Sequence, residues 1–244
     1  MSDLHGMSIP VEVVASTLAD VDAAAAGGAQ RVELCVDLAC GGLTPGRSLV
    51  EAALERAHQH GMTVRVLIRP RIGDFVFHSD ERSLMVREAA AVMNLGAEKV
   101  VMGGLDANGL PDEALLEDLS RAVGMEHVVF HRALDESIDF GQALVRLKEA
   151  GIREVLTSGG HAKAMDGLAG LTQAAQDFMV VAGSGVAPDQ VGALVAAGAH
   201  DVHASCRVPA PVTRQGRLFS EARTAVDEDK VRDLVAAVRG LDRP

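Results

Sequence analysis

The chain has 244 residues and a net charge of −11, with 23 Lys and Arg against 34 Asp and Glu. Aromatic residues make up only 2% of it, and Trp and Tyr are absent from the sequence. Because nucleic-acid-binding proteins need basic surfaces and often stack bases on aromatic rings, this composition argues against a nucleic-acid partner. The length suits one α/β barrel, which typically needs about 250 residues.

The pattern of apolar runs predicts a cytoplasmic chain without a membrane partner. The first ten residues lack the charged and apolar regions of a signal peptide. Uncharged runs such as 178–188 are much shorter than the roughly 20 residues of a membrane-spanning helix. The three cysteines are too few and too scattered for a disulfide framework.

Eight short runs rich in Val, Ile and Leu predict β-strands that are covered on both faces. In chain order they are 11–17, 31–36, 63–69, 99–103, 127–131, 154–158, 178–183 and 201–205. Helical periodicity fills the gaps between them, as in 83–95, 139–150 and 188–197. This alternation predicts one (β/α)8 TIM barrel, a single domain over residues 1–244. Residues 209–224 are predicted to be irregular before a C-terminal helix, and to form either a lid or a contact in a homo-oligomer.

A weak internal repeat supports the barrel, because four segments contain a Gly followed four residues later by a Val. They are Gly28 and Val32, Gly96 and Val100, Gly151 and Val155, and Gly198 and Val202. Gly is favoured just after a helix because it adopts the left-handed conformation at little steric cost. Each repeat therefore predicts a helix end, a tight turn and then an even-numbered strand.

The phase of the repeat also predicts which side chains point into the barrel, because strand residues alternate between faces. The inward set on the eight strands includes several polar residues: Glu12, Glu33, Arg69, His131, Ser158, His203 and Ser205. A closed network of these charges without any ligand is one explanation. A functional pocket is the favoured one, because barrel active sites lie at the C-terminal ends of the strands.

The segment FHRALD at the end of the fifth strand contains three candidate site residues. His131 is a candidate general base, since the ordinary pKa of His is about 6.5. Arg132 is suited to clamp a carboxylate or phosphate, and Asp135 to orient one of these two side chains. The alternative is a surface ion pair beside a histidine with a purely structural role.

Glycine-rich turns follow the sixth and seventh predicted strands. Backbone N–H groups in such turns can approach an anion closely, and many barrels bind phosphate near their last strands. A tight turn without a ligand is the simpler alternative. The predicted anion-binding residues here are Ser158, Gly159, Gly160, Gly183 and Gly185, together with His203, Ser205 and Arg207 of the segment HASCR.

The segment IRPRIGDF supplies two more cations, Arg69 and Arg71. Arg69 ends the third strand and points inward, so it is predicted to bind an anion. Arg71 is predicted to help it, or else to form an ordinary surface pair with Asp74.

Cys35 is predicted to point into the barrel, and Cys40 lies on the loop above it. Two thiolates facing each other bind Cu(I) well. The alternative is that Cys35 is a small buried apolar residue, which is the usual role of a free cysteine.

Six segments of this sequence resemble the CutC family. They are VELC with GGLTPG (32–46), IRPRIGDF (68–75), FHRALD (130–135), VLTSGG (155–160), GSGV (183–186) and HASCR (203–207). The resemblance implies a (β/α)8 barrel, a role in copper homeostasis, and Cu(I) ligands at two inward cysteines on the first two strands. The second of these matches Cys35, whereas the first falls at Val14. Cys40 stands where relatives usually have Glu.

Two functions are therefore expected of this chain. The first is the CutC-like binding of copper in copper homeostasis, with Cys35 and Cys40 as metal ligands. The alternative is an enzyme that acts on a small anionic or phosphorylated metabolite. In that enzyme Glu12, Glu33 or His131 transfers a proton, and Arg69 and Arg132 hold the anion.

Overall fold

The computed structural model describes residues 9–210 and 223–241. The first eight strands in chain order form a closed parallel barrel. The barrel strands are β1 (Val11–Ala15), β2 (Arg31–Leu34), β3 (Thr63–Ile68), β4 (Lys99–Met102), β5 (Val128–Phe130), β6 (Glu154–Thr157), β7 (Met179–Ala182) and β8 (Asp201–Ala204). Each strand pairs with the next, and β8 pairs with β1. The predicted (β/α)8 barrel is confirmed.

Eight α-helices within residues 9–210 and 223–241 follow or flank these strands. They are α1 (Leu18–Ala26), α2 (Arg47–Gln59), α3 (Ser79–Asn94), α4 (Glu113–Ala122), α5 (Phe140–Glu149), α6 (Leu168–Ala174), α7 (Val191–Ala196) and α8 (Glu228–Leu241). None of the helices within the described residues is long and apolar enough to cross a bilayer.

The four repeat glycines end helices in the predicted conformation. Gly28, Gly96, Gly151 and Gly198 have φ angles of +90°, +98°, +87° and +99°. A side chain would be strained there, which explains why Gly recurs at each of these turns. The repeat therefore reflects a helix-to-strand turn that is used four times.

The predicted strands extend too far at their C-terminal ends. Arg69, His131 and Ser158 each lie one residue beyond the last residue of their strand. At these positions the backbone leaves the sheet and turns into the following loop. These three candidate site residues therefore lie at the C-terminal end of the barrel, where it opens.

Two helices differ from their predicted bounds. Helix α3 begins at Ser79 rather than 83, because the Glu81 carboxylate accepts a hydrogen bond from the His78 backbone N–H at 2.8 Å and so caps an earlier turn. The predicted helix 188–197 is split into a 3₁₀ turn, Pro188–Gln190, followed by α7.

The ends of the segment 209–224 are regular rather than irregular. β9 (Arg207–Pro209) pairs antiparallel with β10 (Thr224–Val226), so that Pro209 faces Thr224. The interior of this segment lies outside the described residues, and its predicted roles as lid or oligomer contact stay predictions.

Two separate apolar layers confirm the predicted alternation of strand side chains. The larger layer, which includes Val32, Leu34 and Val100, lies between the strands and the helices. The smaller layer fills the middle of the barrel and consists of Val14, Cys35, Leu67, Val101, Val129, Leu156 and Val181. Charged side chains lie at both ends of the barrel, and the contact between Glu12 and His203 links the two groups.

Candidate functional site

A cavity of about 860 Å³ opens at the C-terminal ends of the strands. Part of its wall is apolar and comes from the inner layer, including Val14, Leu67 and Leu156. Nine of the residues predicted for the site line it: Glu33, Cys35, Cys40, Arg69, His131, Arg132, Gly185, His203 and Ser205. The predicted convergence of polar groups on one mouth is therefore present for these residues.

Arg69 brings a buried positive charge to the cavity. Its Nη1 donates to the carbonyl oxygens of Cys40 and Gly42 at 2.9 and 3.2 Å, and its Nη2 donates to that of Gly73 at 3.0 Å. The guanidinium lies 5.0 Å from the ring centre of Phe75. Within residues 9–210 and 223–241 no carboxylate forms a salt bridge with it, and its Nε has no hydrogen-bond partner. A cation that is only 8% exposed and lacks a counterion favours an anionic ligand.

Glu33 brings a buried carboxyl group whose Oε2 accepts no hydrogen bond from the part of the chain that the structure describes. The nearest cationic group is Nδ1 of His203, which lies 3.8 Å from that oxygen. Burial, followed by the effect of the neighbouring carboxylate of Glu12, raises the pKa of Glu33 to about 7. This carboxyl group can therefore gain or lose a proton near neutral pH.

Glu12 lies below the cavity rather than in its lining. Its Oε2 is 2.5 Å from Nε of Arg31, and its Oε1 is 2.7 Å from Nδ1 of His203. Burial alone would raise the pKa of Glu12, but the hydrogen bond from His203 and the charge of Arg31 hold it well below its usual range. Glu12 therefore stays ionised, so the prediction that it transfers a proton is a poor fit to its surroundings.

His203 connects the two glutamates. Burial opposes its charged form, but the nearby carboxylates of Glu33 and Glu12 raise its pKa. The bond to Glu12 fixes the ring through Nδ1, and the residue lines the cavity. His203 is therefore an imidazole that Glu12 holds in one orientation beside Glu33.

These three side chains offer atoms within 4.8 Å of one another, a spacing that suits a metal ion. However, both oxygens of Glu12 already bind Arg31 and His203. Arg65 adds a second positive charge 3.7 Å from Glu12. An ion-pair network therefore explains this cluster without a metal.

His131 is a neutral hydrogen-bond donor rather than the predicted base. Burial, followed by the charge of Arg69, lowers its pKa to about 3. Its Nδ1 accepts a hydrogen bond from the backbone N–H of Ala133 at 3.2 Å, so the ring proton is on Nε2. That Nε2 has no partner among the described residues. Phe75 and Phe130 pack edge-on against the ring with centroid distances of 5.0 and 6.1 Å.

The turn after β6 is filled by a side chain of the protein itself, so the predicted anion site there is wrong. The carboxylate of Asp135 accepts hydrogen bonds from the backbone N–H groups of Ser158 and Gly160, at 3.0 and 2.9 Å for the shorter contacts. It also accepts from the hydroxyl groups of Thr157 and Ser158, at 2.5 and 2.9 Å. Asp135 therefore positions this turn instead of contacting a ligand.

Gly159 has a packing role in the same turn. A Cβ atom there would lie 2.0 Å from the carbonyl oxygen of Gly167, which precedes α6. Ser158, Gly159 and Gly160 are all outside the cavity lining, and so is Asp135.

In the glycine turn after β7, the two glycines have different roles. A Cβ at Gly183 would lie 2.7 Å from Cδ1 of Leu156, so this position has a packing role and is outside the lining. Ser184 and Gly185 have φ angles of +80° and +71°, and both line the cavity. The Ser184 hydroxyl donates to the carbonyl oxygen of Ala162 at 2.7 Å.

Three arginines of the predicted site have different surroundings. Arg132 lines the cavity, and its Nε lies 2.9 Å from Asp135. Arg71 is outside the lining, where it pairs with Glu81 at 2.6 Å and with Asp74 at 3.3 Å. Arg207 bonds to the Asp20 carboxylate at 3.2 Å and lies outside the cavity lining, so its predicted role in binding an anion stays a prediction.

The surroundings of the cysteines differ from those expected of a Cu(I) site. Cys35 is fully buried, and burial raises the pKa of its thiol, which disfavours the thiolate that binds metal. The cysteine implied for the first strand is replaced by Val14, whose side chain packs in the same inner layer. The Cys40 thiol donates to the carbonyl oxygen of Asp37 at 3.0 Å. The copper site stays a prediction, and the residues present fit a two-thiolate centre poorly.

Sequence reasoning missed one residue that shapes the cavity. Phe75 lies against both Arg69 and His131. The loop IRPRIGDF contains it, but spacing alone does not indicate that its ring folds back to the mouth.

Comparisons with known proteins agree with this architecture. The family model described as CutC family matches residues 9–208. A CutC family protein of Xylella fastidiosa (strain Temecula1) is 40% identical over 240 residues, which is 94% of this chain and 89% of the relative. A CutC family protein of Agrobacterium fabrum is 40% identical over 234 residues, or 92% of each chain.

A solved structure is similar over most of the barrel. It is a CutC protein of Streptococcus agalactiae that is designated a copper homeostasis protein. It has a TM-score of 0.75 and 26% identity, and the match covers 81% of this chain and 98% of that chain.

Proposed function

This chain belongs to the CutC family, and we propose that it is an enzyme that acts on a small anionic metabolite by proton transfer. Arg69 binds the anionic group of the substrate, and Glu33 transfers the proton. The observation on which this proposal rests is the buried guanidinium of Arg69, which faces the cavity without a carboxylate partner in the described part of the chain.

The neighbours of Arg69 support its role in binding. Its three hydrogen bonds to carbonyl oxygens hold the guanidinium in one place but leave its charge uncompensated. A substrate carboxylate or phosphate would supply that charge, and Arg is well suited to bind both. Arg132, which is partly paired with Asp135, adds a second cation to the lining.

The surroundings of Glu33 support its role in proton transfer. A general acid or base works best when its pKa is near the working pH, and the Glu33 carboxyl has a pKa of about 7. Since Glu12 is held ionised by Arg31, Glu33 is the glutamate that exchanges a proton.

Ligand-induced stabilisation tests the binding step. Inorganic phosphate, pyruvate, dihydroxyacetone phosphate and ribose 5-phosphate are each added at millimolar concentration, and Tm is measured. We expect at least one to raise Tm, because a ligand that binds only the folded state stabilises it by about 2.7 kcal/mol at 100 times its Kd.

Two variants assign that binding to the cavity. Arg69→Gln is expected to remove the shift in Tm. Arg47→Gln is the matched control, because Arg47 is 72% exposed, pairs with Glu51 and lies outside the lining. An unchanged shift in Arg69→Gln, or no shift for any of the four compounds, would contradict the proposal.

Copper binding is the second candidate function, favoured by the presence of two cysteines at one cavity. Titration with Cu(I) against a competing chelator measures it. A copper site at the cavity predicts loss of affinity in Cys35→Ser and Cys40→Ser but retained affinity in Cys206→Ser, since Cys206 lies outside the lining. Equal affinity in all three variants would exclude the cavity cysteines as ligands.

A further inference from the structure

Two of the cavity groups that lack partners among the described residues have complementary chemistry. There the carboxyl group of Glu33 presents an oxygen without a hydrogen-bond donor, and the imidazole of His131 presents an N–H without an acceptor. Burying either group unpaired is unfavourable, so both arrangements are explained most simply by a ligand that pairs with them.

We propose that the reaction at this site is the removal of a proton from a carbon next to a carbonyl group, with Glu33 as the base and Nε2–H of His131 as the donor to the carbonyl oxygen. This inference rests on the proposed function, and it specifies the substrate as a small anion with an aldehyde or ketone group.

The proton and electron movements balance within the substrate and the two side chains. The C–H bond breaks, and its proton goes to a carboxylate oxygen of Glu33. The electron pair forms a C=C bond while the carbonyl oxygen becomes an enolate oxygen, which accepts the hydrogen bond from His131. If the Glu33 carboxyl group exchanges its proton with solvent and then returns one to the same carbon, the substrate gains a solvent hydrogen. In a substrate with a hydroxyl group on that carbon, protonation of the former carbonyl carbon, with transfer of the hydroxyl proton to the enolate oxygen, gives isomerisation. Neither outcome needs an oxidant, a reductant or another reactant.

The fixed orientation of His131 suits this role. A backbone N–H can only donate, so the bond from Ala133 holds the ring with Nδ1 as acceptor and Nε2 as donor. A neutral imidazole that polarises a carbonyl beside a glutamate base is also the arrangement of triosephosphate isomerase. Phe75 lies against the ring and against Arg69, so the donor and the anion-binding cation are held by the same side chain.

His203 and Glu12 have a supporting position in this reaction. Nδ1 of His203 is bonded to Glu12 and lies 3.8 Å from Oε2 of Glu33. The imidazole therefore limits the directions in which the Glu33 carboxyl can turn. Glu12 is a positioning residue, since it lies outside the cavity lining and reaches Glu33 through His203.

Deuterium exchange tests the inference. Pyruvate, dihydroxyacetone phosphate and ribose 5-phosphate each contain a C–H bond next to a carbonyl carbon. The wild-type protein is incubated with each compound in D2O, and loss of the corresponding proton signal is followed by NMR. We expect exchange above the protein-free rate for at least one compound that also raises Tm.

Substitutions assign the two roles. Glu33→Gln should slow exchange by about 100-fold to 10,000-fold, the usual contribution of a general base, and Glu33→Asp should restore part of it. His131→Leu should slow exchange by about 100-fold, and His131→Asn, which still has an N–H donor, should lose less. Glu51→Gln, an exposed change outside the lining, is the matched control.

The outcomes separate this inference from the proposed function. A compound that raises Tm through Arg69 but shows no exchange overturns the enolisation and leaves anion binding in place. Failure of all compounds to bind overturns both. Exchange that survives Glu33→Gln excludes Glu33 as the base, and Tm measured for each variant shows whether a loss reflects unfolding instead.

Discussion

Arg65 of β3 and Arg69 just after it both point into the barrel, yet they have different hydrogen-bond partners at its two ends. Arg65 lies in the lower half, with Nη1 2.5 Å from Glu154 and Nη2 3.2 Å from Glu98. Arg69 lies at the mouth and contacts only carbonyl oxygens. The charge of Arg65 is neutralised by carboxylates of the chain, whereas that of Arg69 has no carboxylate partner among the described residues.

The lower half forms a continuous ion-pair network. Arg31 bonds to Glu12 and Asp201, both at 2.5 Å, and Lys99 bonds to Glu154 at 2.6 Å. A buried network of this kind contributes little net stability compared with an apolar core, but breaking it leaves charges without partners. Substitutions in the lower half are therefore expected to affect mainly stability, whereas the mouth is the part to which the proposed function belongs.

The largest expected effect comes from removing one cation at each end. Arg31→Met should lower the free energy of unfolding by about 3–5 kcal/mol, because Glu12 and Asp201 lose their shared partner. Arg69→Met should lower it by only about 2 kcal/mol, because the lost partners are carbonyl oxygens. Urea unfolding of both variants measures the difference.

The two variants are matched controls for each other, since each replaces a buried Arg by the same side chain. If Arg69→Met proved as destabilising as Arg31→Met, the charge of Arg69 would have a partner within the protein. The contrast between the two ends of the barrel would then be wrong.

Much of this division could be predicted from the repeat. The residues three positions after the repeat glycines are Arg31, Lys99, Glu154 and Asp201, and all four are part of the lower network. The same phase placed Glu33 and His203 two residues later, at the cavity. Strand alternation fixes the face of a side chain, so such positions can be read from spacing.

Partners and protonation could not be predicted in the same way. Asp135 bonds to Arg132 at 2.9 Å, which fits its expected role of orienting His131 or Arg132. Its bonds to the turn at Ser158 and Gly160 could not be predicted, because the fold brings together residues more than 20 positions apart. The pKa of His131 depends on burial and on Arg69, which comes from another strand. Distances across the barrel decide such properties, and a sequence pattern does not contain them.

Glu33 gives the next largest effect, as a dependence of stability on pH. The groups that face its carboxyl are His203, Glu12, Arg31 and Arg65, and its pKa is about 7 against an ordinary value of 4.5. The folded state therefore holds the proton more tightly than the unfolded chain, and stability is lost as pH rises from about 4.5 through 7. Glu33→Gln abolishes this loss, so its advantage over the wild type should grow by about 3 kcal/mol between pH 4.5 and 8.

Urea unfolding of both proteins across this pH range checks the prediction. Glu33→Gln also removes the carboxylate that raises the pKa of His203, so the difference between the two proteins reports Glu33 and His203 together. Glu51→Gln, at an exposed position, should differ from the wild type by a constant amount. If the difference in free energy of unfolding between Glu33→Gln and the wild type were also independent of pH, the carboxyl group would have the same pKa in the folded and unfolded states. Burial would then not raise its pKa.

The smallest of the three effects concerns the turn after β6, where the chain fills its own anion site. Asp135→Asn replaces one carboxylate oxygen by an NH2 group, which then faces backbone N–H groups of Ser158 or Gly160. The free energy of unfolding should fall by about 2 kcal/mol, the range for hydrogen bonds to a charged group. Asp139→Asn is the matched control, because Asp139 caps α5 through one bond to Gln142 and Asn caps helices equally well. Equal stability of the two variants would mean that the Asp135 charge is not needed to hold the turn, and that its N–H groups are available to a ligand after all.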